Sequence, residues 1–97
     1  MADVMPRYIE DTQTVTHNVT NSGGTMKHTA TATVINNAQV VTGSHYTTGT
    51  PSGLYTYKQN KLQWQVITNG YRSFAEGWFY YGNNTLVARD NIDFQYE

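Results

Sequence analysis

Polar and apolar residues alternate with a period of two through much of the chain, as they do in strands that bury one face. Residues 13–20 alternate Val or His with Thr or Asn. Residues 27–35 alternate His, Ala or Val with Thr, and residues 61–68 alternate Leu, Trp or Val with Gln. Thr, Asn, Gly, Tyr and Val dominate, and most of these disfavour helix interiors. The pattern predicts an all-β fold, a small antiparallel β-sandwich of six or seven strands.

Turn-forming residues separate the predicted strands. They lie at residues 21–24, 36–37, 59–60, 69–70 and 82–84. Asn and Gly favour hairpin turns because they tolerate positive φ. Residues 47–53 are predicted to form a loop that joins the two halves of the domain. We expect residues 1–9 to be a flexible lead and residues 10–97 to form a single sandwich domain.

The first predicted hairpin brings two histidines opposite each other. A turn at residues 22–23 pairs His17 with His28, and Val15 with Ala30, on one face. Two imidazoles are half of a metal site, but no ligand spacing indicates a third ligand, so no metal is predicted. Two alternatives remain: histidines hydrogen-bonded at the rim of a sheet, or a pH-sensitive hairpin whose neighbouring imidazoles resist double protonation.

A second hairpin is predicted around residues 59–60. A two-residue turn there pairs Tyr57 with Leu62 and Tyr55 with Trp64, so that both aromatic pairs lie on one face. A slip of one residue would turn each strand over, and the predicted register is therefore specific.

Composition narrows the classes of function. Of the 97 residues 13% are charged, the net charge is −1 and cysteine is absent. Without a basic stripe, duplex nucleic acid is a poor candidate partner. Without cysteine, thiol catalysis and disulfides are excluded. No apolar run approaches the length of a membrane span, and residues 1–11 do not read as a signal peptide.

Catalytic motifs are also missing from the sequence. Glu76 with Asp90 or Asp93 is the one candidate pair of facing carboxylates for a glycosidase, but no spacing supports it. Residues 90–93 are interpreted as a solvated turn rather than a calcium loop. We therefore predict a protein without catalytic activity and without a cofactor.

Four consecutive aromatic residues, Trp78 to Tyr81, are the most informative feature. Neighbours in a strand point to opposite faces, so Trp78 and Tyr80 share one face and Phe79 and Tyr81 share the other. Phe79 is predicted to point inward because it has no polar group to satisfy. The outward rings either cover a neighbouring strand or form a platform for sugar rings or a partner's backbone.

A fringe of polar groups would complete such a platform. The predicted ligand-binding residues are Trp78 and Tyr80, with Tyr71, Arg72, Asn83 and Asn84 from adjoining turns.

Residues 64–81 resemble the C-terminal part of the lactococcin 972-type bacteriocins. The matching positions are Trp64, Thr68, Gly70, Glu76 and the triplet Phe79, Tyr80 and Tyr81. Residues 27–37 are similar to a strand of that family that ends in paired asparagines. The resemblance implies a secreted antimicrobial β-sandwich, made with a cleaved signal peptide, that interferes with cell-wall synthesis through the precursor lipid II.

The chain also departs from that family. The family carries a Gly-Thr-Trp near the start of its mature form, and the nearest equivalent here is Gly24-Thr25-Met26, which lies at a different position and lacks the Trp. Residues 82–97 extend past the end of the family's chain and are predicted to add a strand. Two other functions stay open: a carbohydrate-binding or adhesion module, and a small phage or host-interaction domain that binds through a sheet edge. An exposed edge also makes a homodimer a reasonable expectation.

Overall fold

The structure, a computed structural model, describes residues 10–36 and 38–96. Six strands account for most of this part of the chain: β1 (Glu10–Asn21), β2 (Gly24–Ile35), β3 (Gln39–Pro51), β4 (Thr56–Ile67), β5 (Gly70–Tyr81) and β6 (Asn84–Gln95). The described residues contain no helix that could cross a bilayer. The predicted flexible lead, residues 1–9, lies outside the described residues.

The strands form two three-stranded antiparallel sheets, each with its strands in sequence order. One sheet contains β1, β2 and β3, and the other contains β4, β5 and β6. The sheets pack face to face, with β1 against β6 and β3 against β4 and β5. The predicted all-β sandwich is therefore confirmed, with six strands, and residues 82–97 supply β6 as expected.

Turn positions agree with the sequence at four of the five predicted places. Asn36, Asn69 and Gly82 adopt φ angles of 53°, 60° and 59°. The predicted loop at residues 47–53 is shorter than expected, because β3 stays paired with β2 as far as Pro51 opposite Gly24. Only residues 52–55 cross between the sheets.

The register of the first hairpin is confirmed. His17 lies opposite His28, and Val15 opposite Ala30. On the outer face of the same two strands, threonines meet in pairs whose hydroxyl oxygens are 2.9–3.0 Å apart: Thr12 with Thr33, Thr14 with Thr31, Thr16 with Thr29, and Thr20 with Thr25.

The predicted hairpin at residues 59–60 is wrong. These residues lie inside β4, where a bulge places Asn60 between two residues paired with adjacent positions of β5. An extra residue reverses the alternation of faces, so Tyr57 before it and Leu62 after it both point inward. A turn and a bulge both reverse the alternation of apolar and polar positions in the sequence. The continuous pairing of β4 with β5 on both sides of Asn60 shows that it is a bulge.

The core between the sheets consists of two apolar clusters. The first comprises Ala30, Ala32, Val34, Val40, Ile92 and Phe94. The second comprises Met26, Ala75, Phe79 and Ala88. Beside the second cluster the Tyr57 ring lies so close to Gly49 and Gly77 that a Cβ atom on either glycine would overlap it. Small residues thus leave room for a large ring in a thin sandwich.

Candidate functional site

The outer face of β5 carries several aromatic side chains. Phe79 is 0% exposed and Tyr80 is 37% exposed, so the prediction that Phe79 points inward is confirmed. Trp78 and Tyr80 point outward, two residues apart and roughly 7 Å apart along the strand. Phe74 lies on the same face farther along β5.

An open groove of about 280 Å³ lies beside these rings, lined by Lys58, Trp78, Tyr80, Gly82 and Thr85. The register places Lys58 of β4 next to Trp78, with its Nζ atom 5.9 Å from the centre of the ring. No ion pair involves Lys58 within the described residues. The groove therefore combines aromatic surfaces with a cation that has no acidic partner.

A carboxylate beneath this face fixes the Trp78 ring. Glu76 accepts hydrogen bonds from Trp78 Nε1 at 3.1 Å, from Arg89 Nε at 2.9 Å and from the Asn60 side chain. Glu76 is 6% exposed although it lies on the outer face. Hydrogen bonds from Asn60 and then from Arg89 lower the pKa of Glu76 below its ordinary value of 4.5. The Asn60 bulge is thus what delivers an amide to this carboxylate.

The anchoring of Trp78 predicts a titration that can be observed directly. We expect the indole N–H resonance of Trp78 to shift with a midpoint below pH 4.5, because protonation of Glu76 removes the ionised acceptor. Two-dimensional NMR against pH measures it, and Trp64, the other tryptophan, is the internal control. In Glu76→Gln the Trp78 shift should disappear, and its persistence would contradict the assignment.

The lowered pKa of Glu76 also determines how the stability of the fold depends on pH. A carboxyl group with a lowered pKa in the folded state stabilises the fold above its unfolded pKa. That contribution of Glu76 is lost as the pH falls below 4.5 towards the folded pKa.

The predicted fringe divides between the two ends of β5. Asn83 and Asn84 are exposed at the β5–β6 turn, close to the aromatic groove. Tyr71 and Arg72 lie at the start of β5, roughly 30 Å from Tyr80. Tyr71 faces inward and packs on the first apolar cluster. The expectation that the two pairs lie at adjoining turns is wrong, because the twelve residues of β5 separate them.

Arg72 has a different partner. Its guanidinium donates to both carboxylate oxygens of Asp93, at 2.7 and 3.0 Å. These hydrogen bonds lower the pKa of Asp93. Asp93 therefore belongs to an ion pair on the outer face and not to a solvated turn.

Between the two apolar clusters lies a polar layer, the histidine belt: His17, His28, His45, Ser73 and Asp90. Asp90 contacts Nδ1 of His17 at 2.9 Å and Nδ1 of His28 at 2.8 Å. Ser73 Oγ contacts His28 Nε2 at 2.8 Å and His45 Nδ1 at 2.6 Å. All four contacts cross from one sheet to the other.

Five of the six strands contribute one residue each to this layer. The three histidines come from β1, β2 and β3, while Ser73 and Asp90 come from β5 and β6. Trp64 of β4 stacks on His45, with ring centres 4.5 Å apart and planes 8° apart. His28 follows Met26 and precedes Ala30 on the inner face of β2, which places the belt between the two clusters.

Hydrogen-bonding capacity determines the direction of each bond. An ionised carboxylate only accepts, so His17 and His28 each donate Nδ1–H to Asp90. Neutral His28 then accepts the Ser73 hydroxyl at Nε2, and Ser73 accepts Nδ1–H of His45. No buried side-chain polar atom among the described residues lacks a partner.

Hydrogen bonds connect Ser73 to His28 and His28 to Asp90, in the same way as they connect the nucleophile, base and carboxylate of serine hydrolases. Ser73 and His28 are both 0% exposed, so no substrate carbonyl reaches Ser73 Oγ in this conformation. The described residues also contain no cluster arranged to hold a metal ion. The geometry supports a cross-sheet linkage rather than a substrate site.

Several interpretations of these residues need correction. His28 lies in the interior of the sandwich and not at a rim, since it is fully buried, whereas His17 is on the edge strand β1 and its side chain is 42% exposed. Residues 90–93 are part of β6 and not a turn. Glu76 and Asp90 point to opposite faces of their sheet and do not face each other. The inward position of Asp90 could have been predicted from the sequence, because it falls in the alternating series of apolar residues that runs from Leu86 to Phe94.

Comparison with known proteins returned no match: no family model, no curated protein and no solved structure matches this chain.

Proposed function

We propose that this is a secreted, bacteriocin-like antimicrobial protein that binds a component of the bacterial cell envelope without catalysis. The supporting observation is the aromatic groove on the outer face of β4, β5 and β6, lined by Trp78, Tyr80 and Lys58. Aromatic faces stack on sugar rings, and an unpaired lysine attracts an anionic group. A cell-wall precursor such as lipid II carries both groups, in line with the resemblance to the lactococcin 972-type bacteriocins.

The Trp78 ring is held in a fixed orientation by its neighbours, which supports the aromatic groove as the binding surface. Glu76 holds the Trp78 indole by a hydrogen bond at 3.1 Å, and Lys58 lies over the same ring. Rings that are already oriented lose little conformational entropy when a ligand binds.

The test is growth inhibition of Gram-positive cells together with binding of purified cell-wall precursor by calorimetry. We expect Tyr80→Ala to weaken binding by roughly tenfold, because a stacked ring contributes about 1–3 kcal/mol. Tyr46→Ala is the matched control, since Tyr46 is 52% exposed on the other sheet. A wild-type protein that neither inhibits growth nor binds precursor would exclude the proposal.

One observation favours a carbohydrate-binding or adhesion module as the alternative. Beyond Glu76 the outer face continues with Phe74, which the register places between Gln63 and Asn91. Rings and amides in line along one strand suit a linear polysaccharide. Glycan-array signals that Phe74→Ala reduces, without binding of cell-wall precursor, would select this alternative.

We also propose that two copies associate through an exposed strand edge, because each sheet has two edge strands. Sedimentation equilibrium at micromolar concentration tests this proposal, and a monomer at all concentrations would exclude it.

A further inference from the structure

The histidine belt contains all three histidines of the chain and a single carboxylate. With all three histidines neutral, the belt carries only the negative charge of Asp90, and each of its buried polar side-chain atoms has a partner. Asp90 can neutralise one imidazolium only. A second proton therefore leaves a net positive charge between two apolar clusters, where an unpaired charge is costly.

We propose that the histidine belt is an acid-operated clamp that holds the two sheets together near neutral pH and releases them in mildly acidic solution. Its contacts are four of the side-chain hydrogen bonds between the sheets: His17 and His28 to Asp90, and His28 and His45 to Ser73. Thr47 of β3 makes two others, to Tyr57 and Gln59 of β4, and neither of these involves a histidine. Weakening them acts directly on the packing of one sheet against the other.

No other charged group faces the belt from the strands packed around it. β4 contributes Trp64 and β5 contributes Ser73, and neither ionises in this range. Tyr57 and Tyr71 also line the interior, and a phenol carries no charge in acid. On the outer face Glu76 pairs with Arg89, and Arg72 pairs with Asp93. Nothing else in the described interior offsets a second proton.

The direction of the pH dependence follows from His45. Burial, and secondly the charge of His28, lower the pKa of His45 below its ordinary value of 6.5. A histidine with a lowered pKa binds its proton more readily in the unfolded chain. Its contribution to stability is therefore complete above pH 6.5 and declines as the pH falls below it.

A proton added to His28 would also disturb the hydrogen bonds of the belt, because Nε2 would become a donor and could no longer accept the Ser73 hydroxyl. The Ser73 oxygen has two lone pairs and can accept from both His28 and His45, which leaves its own hydroxyl proton without an acceptor unless His45 changes tautomer. An added proton therefore leaves a buried hydroxyl unpaired or forces a change of tautomer at His45.

Thermal unfolding between pH 7.5 and pH 5.0 tests the clamp. We expect the wild-type midpoint to fall by about 5 °C or more, mostly below pH 6.5. Asp90→Asn keeps an amide in place of the carboxylate but removes the only negative charge, so its midpoint should fall more steeply. His45→Asn keeps a donor near Ser73 and should fall less. Asp93→Asn, on the outer face, is the control and should follow the wild type.

A wild-type midpoint that stays constant, or an Asp90→Asn curve parallel to the wild type, would overturn the proposal. Nitrogen-15 spectra of the imidazoles in the wild-type protein give an answer even where a variant does not fold. At pH 7.5 His28 is expected to carry its proton on Nδ1 with Nε2 unprotonated. Finding the proton on Nε2 at pH 7.5 would contradict the neutral arrangement on which the clamp depends.

Discussion

Asp90→Ala is expected to lower the free energy of unfolding by about 3 kcal/mol at pH 7, because it leaves buried donors without an acceptor. His28 is 0% exposed and loses the partner of its Nδ1–H group. His17 is 42% exposed and can turn to water, so most of the loss comes from His28. Urea unfolding followed by tryptophan fluorescence measures the change.

Asp93→Ala is the matched control for this experiment. Asp93 lies on the same strand as Asp90 but on the outer face, where it pairs with Arg72. Exposed ion pairs are screened by solvent, and we expect a much smaller effect. Equal effects of the two substitutions would show that the belt contributes no more than a surface pair.

Phe79→Ala is expected to cost about 3–5 kcal/mol, a large share of the stability of a domain of this size. Phe79 is fully buried in the second apolar cluster, and its ring lies 5.1 Å from the ring of Tyr57. In a sandwich of only two layers the neighbouring strands cannot close the cavity easily.

Two further variants separate the cavity from other causes of instability. Phe79→Leu retains most of the volume and should cost about 1.5 kcal/mol or less. Tyr80→Ala changes the adjacent residue, which is 37% exposed on the opposite face, and should cost about 1 kcal/mol or less. Denaturant unfolding of the three variants should therefore rank Phe79→Ala as the least stable. Tyr80→Ala as the most damaging change would reverse the assignment of faces.

Alternation along the chain was sufficient to predict much of this fold. It predicted strands on both sides of the turn at residues 22–23 and the opposition of His17 and His28. It also divided the aromatic run correctly, with Phe79 inward and Tyr80 outward. These predictions depend on neighbours in sequence, where the period of two is reliable.

Two bulges account for what alternation could not predict. Asn60 in β4 and Gly43 in β3 are extra residues, each of which reverses the inward and outward positions that follow. The reversal at Asn60 imitates a turn, and the reversal at Gly43 conceals that His45 points inward. The pairing partners that identify a bulge lie on another strand and are not visible in a local pattern.

The histidine belt could not be predicted from the sequence for a related reason. Its members are separated by up to 73 residues along the chain, as for His17 and Asp90. The candidate ligand face was partly predictable, because Trp78 and Tyr80 are close in sequence. Lys58 was not, since its place beside Trp78 depends on the register of β4 with β5.

The threonine pairs on the outer face of β1 and β2 have a consequence for how the chain finds its register during folding. A slip of two residues would still place Thr14 opposite Thr33 and Thr16 opposite Thr31, and it would keep the apolar face inward. The threonines therefore stabilise several alignments almost equally. The same slip would move His17 from His28 to Ala30, out of line with Asp90. A repetitive surface thus leaves the choice of alignment largely to His17, which loses its contact with Asp90 when β1 slips along β2.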